Sequence, residues 1–189
     1  VPLGEGWSIC GMAFANPVSW YDLVINYGVG GTKPIMQAAA DGDIGSALWM
    51  QKGTTATYEL ASGMAAWKGY WLLVKNTNVV GISVPKRSVR SLTAELPGGL
   101  PFETAWNFEL ETSVNGMPGG SAVVGAAPDA TASLDNLYDI VKPAPLTSVQ
   151  YVDISLGTAV RAGEGLGVDI RAADTVREVY DLTVQTNVP

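Results

Sequence analysis

The hydrophobic positions of this chain fall in short runs, most of them rich in β-branched or aromatic residues and bounded by Gly, Pro, Asn or Asp. "GWSICGMAF", "SALWMQ", "TATYEL", "GYWLLV" and "NVVGISV" mark strands in the first half. "AWNFELETSV", "SAVVGAA", "VQYVDISL", "GVDIRA" and "REVYDLTVQT" mark strands in the second. Such side chains suit a pleated, half-buried surface. Period-two alternation is clearest in two segments. Trp106, Phe108 and Leu110 alternate with Asn107, Glu109 and Glu111. Val176, Tyr180, Leu182 and Val184 share one face, opposite Arg177, Asp181, Thr183 and Gln185, with Glu178 interrupting the apolar row near a strand end.

Two stretches carry a helical period instead. "PVSWYDLVINYG" (17–28) spaces Trp20, Leu23, Val24 and Tyr27 for one helix face, with Ser19 as N-cap and Gly28 as stop. "KPIMQAAADG" (33–42) predicts a short helix opened by Pro34 and ended by Gly42. Between the strand-rich halves, "PKRSVRSLTAELPGGLP" concentrates three cations and three prolines, the texture of a linker or long crossover. The expected fold is therefore mainly β, with two tandem β-sandwich (Ig- or jelly-roll-like) domains. An N-terminal domain with a short helical insert spans 1–88, a linker or crossover 89–104 and a C-terminal sandwich 105–189. The glycines follow no fixed period, so no solenoid repeat is expected.

Composition narrows the functional classes. Hydrophobic residues make up 47% and charged residues 15% of the 189 positions, against about 25% charged in an ordinary soluble domain. Uncharged polar residues and backbone must cover much of the surface, a pattern that suits extracellular β-proteins and self-assembling subunits. The net charge is −7 and no cationic run exceeds Lys86-Arg87, which speaks against nucleic acid, since phosphate neutralisation needs clustered cations. Histidine is absent, which removes Ser-His-Asp and Cys-His nucleophiles and imidazole-bound zinc. Cys10 is the single cysteine, in the apolar context of Ile9 and Met12, and reads as a small buried hydrophobe. No window of about 18 apolar residues occurs, so no membrane-spanning helix is expected. The start at Val1, with neither Met nor a basic leader, reads as a processed mature chain or a fragment.

The densest candidate chemistry lies in "GAAPDATASLDNLYDIVKPAPL" (125–146), where Asp129, Asp135 and Asp139 fall within eleven residues. Calcium takes six to eight oxygens, often from alternating loop positions, but the D-x5-D-x3-D spacing lacks the order of an EF-hand. Turn and cap roles are the competing reading. Glu103, Glu109, Glu111 and Glu164 are available for an acid/base pair, yet Glu109 and Glu111 sit on the polar face of an expected strand. "GVGG" and "GEGLG" match no phosphate loop. No catalytic residue and no cofactor are therefore assigned. Of the six tryptophans, Trp7, Trp67, Trp71 and Trp106 read as core. Trp20, Tyr21, Trp49 and Tyr58 are the aromatic candidates for stacking on a sugar.

Both halves also resemble modules common in large secreted and surface proteins of bacteria. "LGEGWSICGMAFANP" (3–17), "LWMQKGTTATYEL" (48–60) and "WKGYWLLVKNTNVVGISV" (67–84) resemble one such module, with Trp7, Gly69, Tyr70 and Trp71 carrying most of the likeness. "ICGMAFA" departs from that module's usual opening, and the insert 17–45 is irregular. The second half, over about 105–186, resembles another module through Asn115, the run from Val124 to Thr131, Asp135, Tyr138-Asp139 and Lys142-Pro143-Ala144-Pro145. What the resemblance implies is a pair of sandwich-like, non-catalytic domains in a secreted or surface-assembly protein.

The expectation drawn from these readings is a non-enzymatic extracellular protein that assembles with copies of itself into a filament, tube or surface layer through strand edges. Val1, Pro2, Leu3, Val179, Tyr180, Leu182 and Val184 are the interface candidates. The alternatives are a carbohydrate-binding or adhesive module, with surface glycans as partners, and an inert spacer in a larger secreted protein.

Overall fold

The structure is a computed structural model, and it describes residues 1–12, 16–53, 55–84, 99–157, 164–173 and 178–188. Among these residues the chain forms fifteen strands, one α-helix and two 3-10 turns, so the protein is mainly β. It divides into two compact units: Val1–Met50 with Leu60–Pro101, and Gln51–Glu59 with Phe102–Pro189. Residues 89–98 of the expected crossover, and Val176 and Arg177 of the last expected strand, lie outside the described residues.

The first unit contains β1 (Gly6–Gly11), β2 (Val18–Ser19), β3 (Val24–Asn26), β4 (Thr32–Pro34), α1 (Ile35–Ala40), β5 (Leu48–Gln51), β6 (Tyr58–Ala61), β7 (Gly63–Met64), β8 (Gly69–Val74) and β9 (Gly81–Ser83). The last residue of β5 and the first two of β6 belong to the second unit. One sheet runs β1-β8-β5-β6, a second β4-β3-β9, and β2 pairs β7. Trp20, Leu23, Ile25, Ile35, Leu48, Leu72 and Ile82 are buried in a shared core. Cys10 lies in that core, where burial pushes its thiol up to about 11, consistent with an inert hydrophobe.

The helix expected over 17–28 does not form. Ser19 does cap a turn, accepting a hydrogen bond from the Tyr21 N–H, but the 3-10 turn ends at Asp22 and Leu23 is already extended. Residues 24–26 are β3, paired on one edge with β4 and on the other with β9. Two flanking strands satisfy the Val24-Ile25 backbone and bury Ile25 completely, so pairing overrides the helical period of the side chains. The second expected helix is present as α1, begun after Pro34 and closed at Asp41-Gly42, where Gly42 has φ +77°.

The second unit is a six-stranded sheet of β10 (Trp106–Val114), β11 (Met117–Ala127), β12 (Ile140–Lys142), β13 (Val152–Leu156), β14 (Gly165–Ala172) and β15 (Leu182–Thr186). Its order is β10-β11-β14-β13-β15. Val168 of β14 pairs with both Val123 of β11 and Ile140 of β12, so β12 occupies the edge of β14 opposite β11. Val124, Ala126, Ile140, Ile154, Leu156, Val168 and Ile170 are buried. The long β10–β11 hairpin turns at Asn115-Gly116, with φ +50° and +77°. A two-residue turn with both φ positive matches the right-handed twist of its strands. Gly116→Ala is expected to lower the unfolding free energy by about 1–2 kcal/mol, the cost of a Cβ in the left-handed region. Gly4→Ala, which meets open space and needs no positive φ, is expected to leave it unchanged. Paired urea titrations check both.

Candidate functional site

A lysine lies inside the second unit. Lys142, the last residue of β12, and Asp153, on β13, have side chains only 1% and 7% exposed and form an ion pair. The Lys142 Nζ donates to Asp153 Oδ1, to the Ser121 carbonyl at 2.9 Å and to the Ile154 carbonyl at 3.3 Å. Three acceptors thus meet the three protons of an ammonium. Burial pushes the Lys142 amine below its ordinary value, against the opposing pull of the Asp153 charge.

The space comes from glycine. A Cβ at Gly120 of β11 would run into the Asp153 carboxylate and stand 2.8 Å from the Lys142 Nζ. A Cβ at neighbouring Gly119 would meet Thr112 and the backbone of Val152. Neither residue of the pair was singled out from sequence as a polar partner. The available signal was the Gly119-Gly120 pair inside a strand, the mark of a close approach by another group.

The aspartate loop is held by its own backbone. Asp135 Oδ1 accepts from the Leu137 N–H at 2.9 Å and the Tyr138 N–H at 2.7 Å, while Oδ2 accepts from the Thr131 N–H at 3.3 Å. Asp139 Oδ2 accepts from the Asp135 N–H at 2.7 Å, and Oδ1 from the Ile170 N–H at 3.3 Å. Asp129 is exposed and takes no part in these bonds. Asp135 is a cap and Asp139 a cross-brace to β14. Among the described residues no group of three or more Cys, Asp or Glu side chains is arranged to hold a metal ion. Burial raises Asp139 to about 7; the Asp135 N–H bond opposes the rise, and the Asp169 and Asp135 charges add to it.

Arg171 gathers the segment before β15. Its guanidinium bonds both oxygens of Asp169 at 3.1 and 2.9 Å, Glu178 at 3.1 Å and the Val179 carbonyl at 2.8 Å. It also stacks 4.3 Å from the centre of the Tyr180 ring, whose hydroxyl donates to the Gly125 carbonyl. Of the interface candidates, Tyr180 is thereby anchored, while Val179, Leu182 and Val184 have exposed side chains. Val1, Pro2 and Leu3 lie along β9: the terminal ammonium donates to the Ile82 carbonyl at 2.9 Å, Pro2 bridges Gly81, and the Leu3 N–H bonds the Val80 carbonyl.

The aromatic residues redistribute between core and surface. Trp20, Trp49 and Tyr58, offered as stacking platforms, are all buried, and Trp20 donates its indole N–H to the Met36 sulfur. Their hydrophobic area is worth more inside than out. Only Tyr21 of the four is exposed, with its hydroxyl bonded to the Pro101 carbonyl. Conversely, Trp67, expected in the core, is 81% exposed at φ +62°, and Trp106 is also exposed. Trp106 and Phe108 pair at 5.6 Å on the open strand β10. Trp106 and Phe108 of the expected apolar row are exposed, as are Asn107 and Glu109 between them, while Leu110 is half-buried.

In the first unit Asp43 accepts from the Tyr27 hydroxyl at 2.5 Å, the Asn76 amide at 2.5 Å and the Lys33 ammonium at 2.9 Å. Burial pushes this carboxyl up, but the three donors together hold it down at about 2. No family model, curated protein or solved structure matches the chain.

Two predictions follow from these charges. Replacing Lys142 by Met leaves the Asp153 charge buried without its partner and is expected to destabilise the second unit by about 3–5 kcal/mol. Adding Asp153→Leu removes the orphaned charge and should make the double variant more stable than Lys142→Met alone, which paired urea titrations measure. The second concerns pH. Folded Asp139 binds its proton more tightly than an unfolded aspartate, so stability falls as pH rises from about 4 to about 7. Asp43 has the opposite sign: its contribution is present above about 4 and lost as pH drops towards about 2. Denaturant titrations across this range should show Asp139→Asn flattening the upper limb and Asp43→Asn the lower one.

Proposed function

We propose that this chain is a non-enzymatic, extracellular structural subunit that assembles with copies of itself through the edges of the second unit's sheet. The observation that carries the reading is the character of those edges. Among the described residues no strand pairs with the outer edge of β10 or of β15. The nine residues of β10 carry exposed Trp106 and Phe108, and β15 carries exposed Leu182 and Val184. Natural monomers shorten, charge or cover such edges, because unpaired N–H and C=O groups beside apolar side chains template another strand. Here β10 is nine residues long, and both edge strands present exposed apolar side chains.

Pairing β10 of one copy with β15 of the next would be heterologous, and a heterologous contact that does not close yields an open filament. The low charge density and the resemblance to bacterial surface modules support the same reading, as they do the finer picture of two sandwich-like domains. The N-terminal segment already lies along β9 of its own chain, so the C-terminal sheet is the better carrier of assembly. A glycan-binding module is less well supported, since three of its four candidate rings are buried.

Negative-stain microscopy and concentration-dependent light scattering test the proposal. Polymers or oligomers are expected for the native chain, and Phe108→Lys or Leu182→Lys alone should reduce them to monomers. A native chain that stays monomeric at every concentration overturns the reading.

A further inference from the structure

We propose that Lys142 and Asp153 are a self-modification site, at which folding leads to an amide bond between the Lys142 Nζ and the Asp153 Cγ that ties β12 to β13. This goes beyond the assembly reading and does not depend on it.

The geometry is that of a reaction site as much as of an ion pair. Both side chains are almost wholly withdrawn from solvent, and Gly120 removes the one Cβ that would keep the carboxylate and the amine apart. Two of the amine's three protons are directed to the Ser121 and Ile154 carbonyls, and the third faces Asp153. When that third proton passes to the carboxylate, the nitrogen keeps two protons on backbone oxygens and its lone pair is released towards the acid. Desolvation favours this transfer, because a neutral amine and acid are less costly to bury than two charges. Among the described residues, the Asp153 charge is felt at Tyr58 and the Lys52 charge at Lys142.

The bond-making step balances without a co-reactant. The Nζ lone pair adds to Cγ and the new C–N bond forms. The C–O bond to the protonated oxygen breaks, and that hydroxyl takes a second proton from nitrogen and leaves as water. One proton stays on the amide nitrogen, and nothing is oxidised or reduced. Free amines and acids do not condense in dilute solution. Holding them in contact in a dry site is equivalent to an effective concentration of about 10⁵–10⁸ M in well-oriented intramolecular reactions.

The intact mass of the purified full-length chain decides the proposal. It is expected to be lower than the sequence mass by one water, with fragment ions from a digest joining the peptide that carries Lys142 to the one that carries Asp153. Lys142→Arg keeps the positive charge but is not expected to form this bond, and Asp153→Ala removes the carboxyl; each should restore the full mass. A folded native chain at full sequence mass after prolonged incubation overturns the proposal. So does a water loss that persists in Lys142→Arg, which would place a dehydrated aspartate elsewhere. Because the native chain alone gives a decisive reading, the proposal remains testable even where a variant fails to fold.

Discussion

A lysine ammonium inside a sheet is the constraint around which the second unit is arranged. An unpaired charge in such surroundings costs several kcal/mol, so the groups that meet the Lys142 Nζ are acceptors. β13 supplies the Asp153 carboxylate and the Ile154 carbonyl, and β11 supplies the Ser121 carbonyl. The same demand explains the glycine at 120 of β11, where a Cβ would run into Asp153 and Lys142. Strand β12 pairs with β14 on the edge opposite β11, and its side chain is satisfied by β11 and β13. The polar pair thus makes three strands mutually dependent, and a shift of register in any one would orphan a charge.

Two further polar anchors extend that order outward. Asp139 ties the aspartate loop to the Ile170 N–H of β14, and Arg171, one residue beyond, collects Asp169, Glu178 and the Tyr180 ring. Loop and C-terminal segment are therefore fixed by β14 from its two sides. What remains open is the periphery. Among the described residues β10 and β15 each pair with a single neighbour, and Trp106, Phe108, Leu182 and Val184 stay exposed. A well-specified centre and unsatisfied edges are the combination expected of a subunit whose remaining contacts come from other copies.

Much of the architecture was legible in the residues. The strands at "GYWLLV" and "AWNFELETSV", the helix after Pro34 and the cap role of Asp135 all follow from propensity, alternation and short polar side chains that bond their own backbone. The Asn115-Gly116 turn carries an equally local signal. The misread segments share a cause. Val24 and Ile25 lie in a helical pattern but are claimed by strands from distant parts of the chain. Trp20, Trp49 and Tyr58, stacking candidates of the glycan-binding alternative, are buried, while Trp67 and Trp106, expected in the core, are left outside. Burial depends on what packs from elsewhere, and a window of neighbours does not contain it.

By itself the sequence determined the β-rich class and the absence of histidine-based chemistry, and it offered turn roles for Asp135 beside a calcium reading, because composition, period and side-chain reach are local properties. Only the tertiary structure decided that Lys142 meets Asp153 across eleven residues of chain, that Gly120 opens the space for them, and that Trp106, Phe108, Leu182 and Val184 stay exposed. Those outcomes depend on which strands become neighbours, and pairing is settled by the whole fold through charges and backbone groups that have to be matched at a distance.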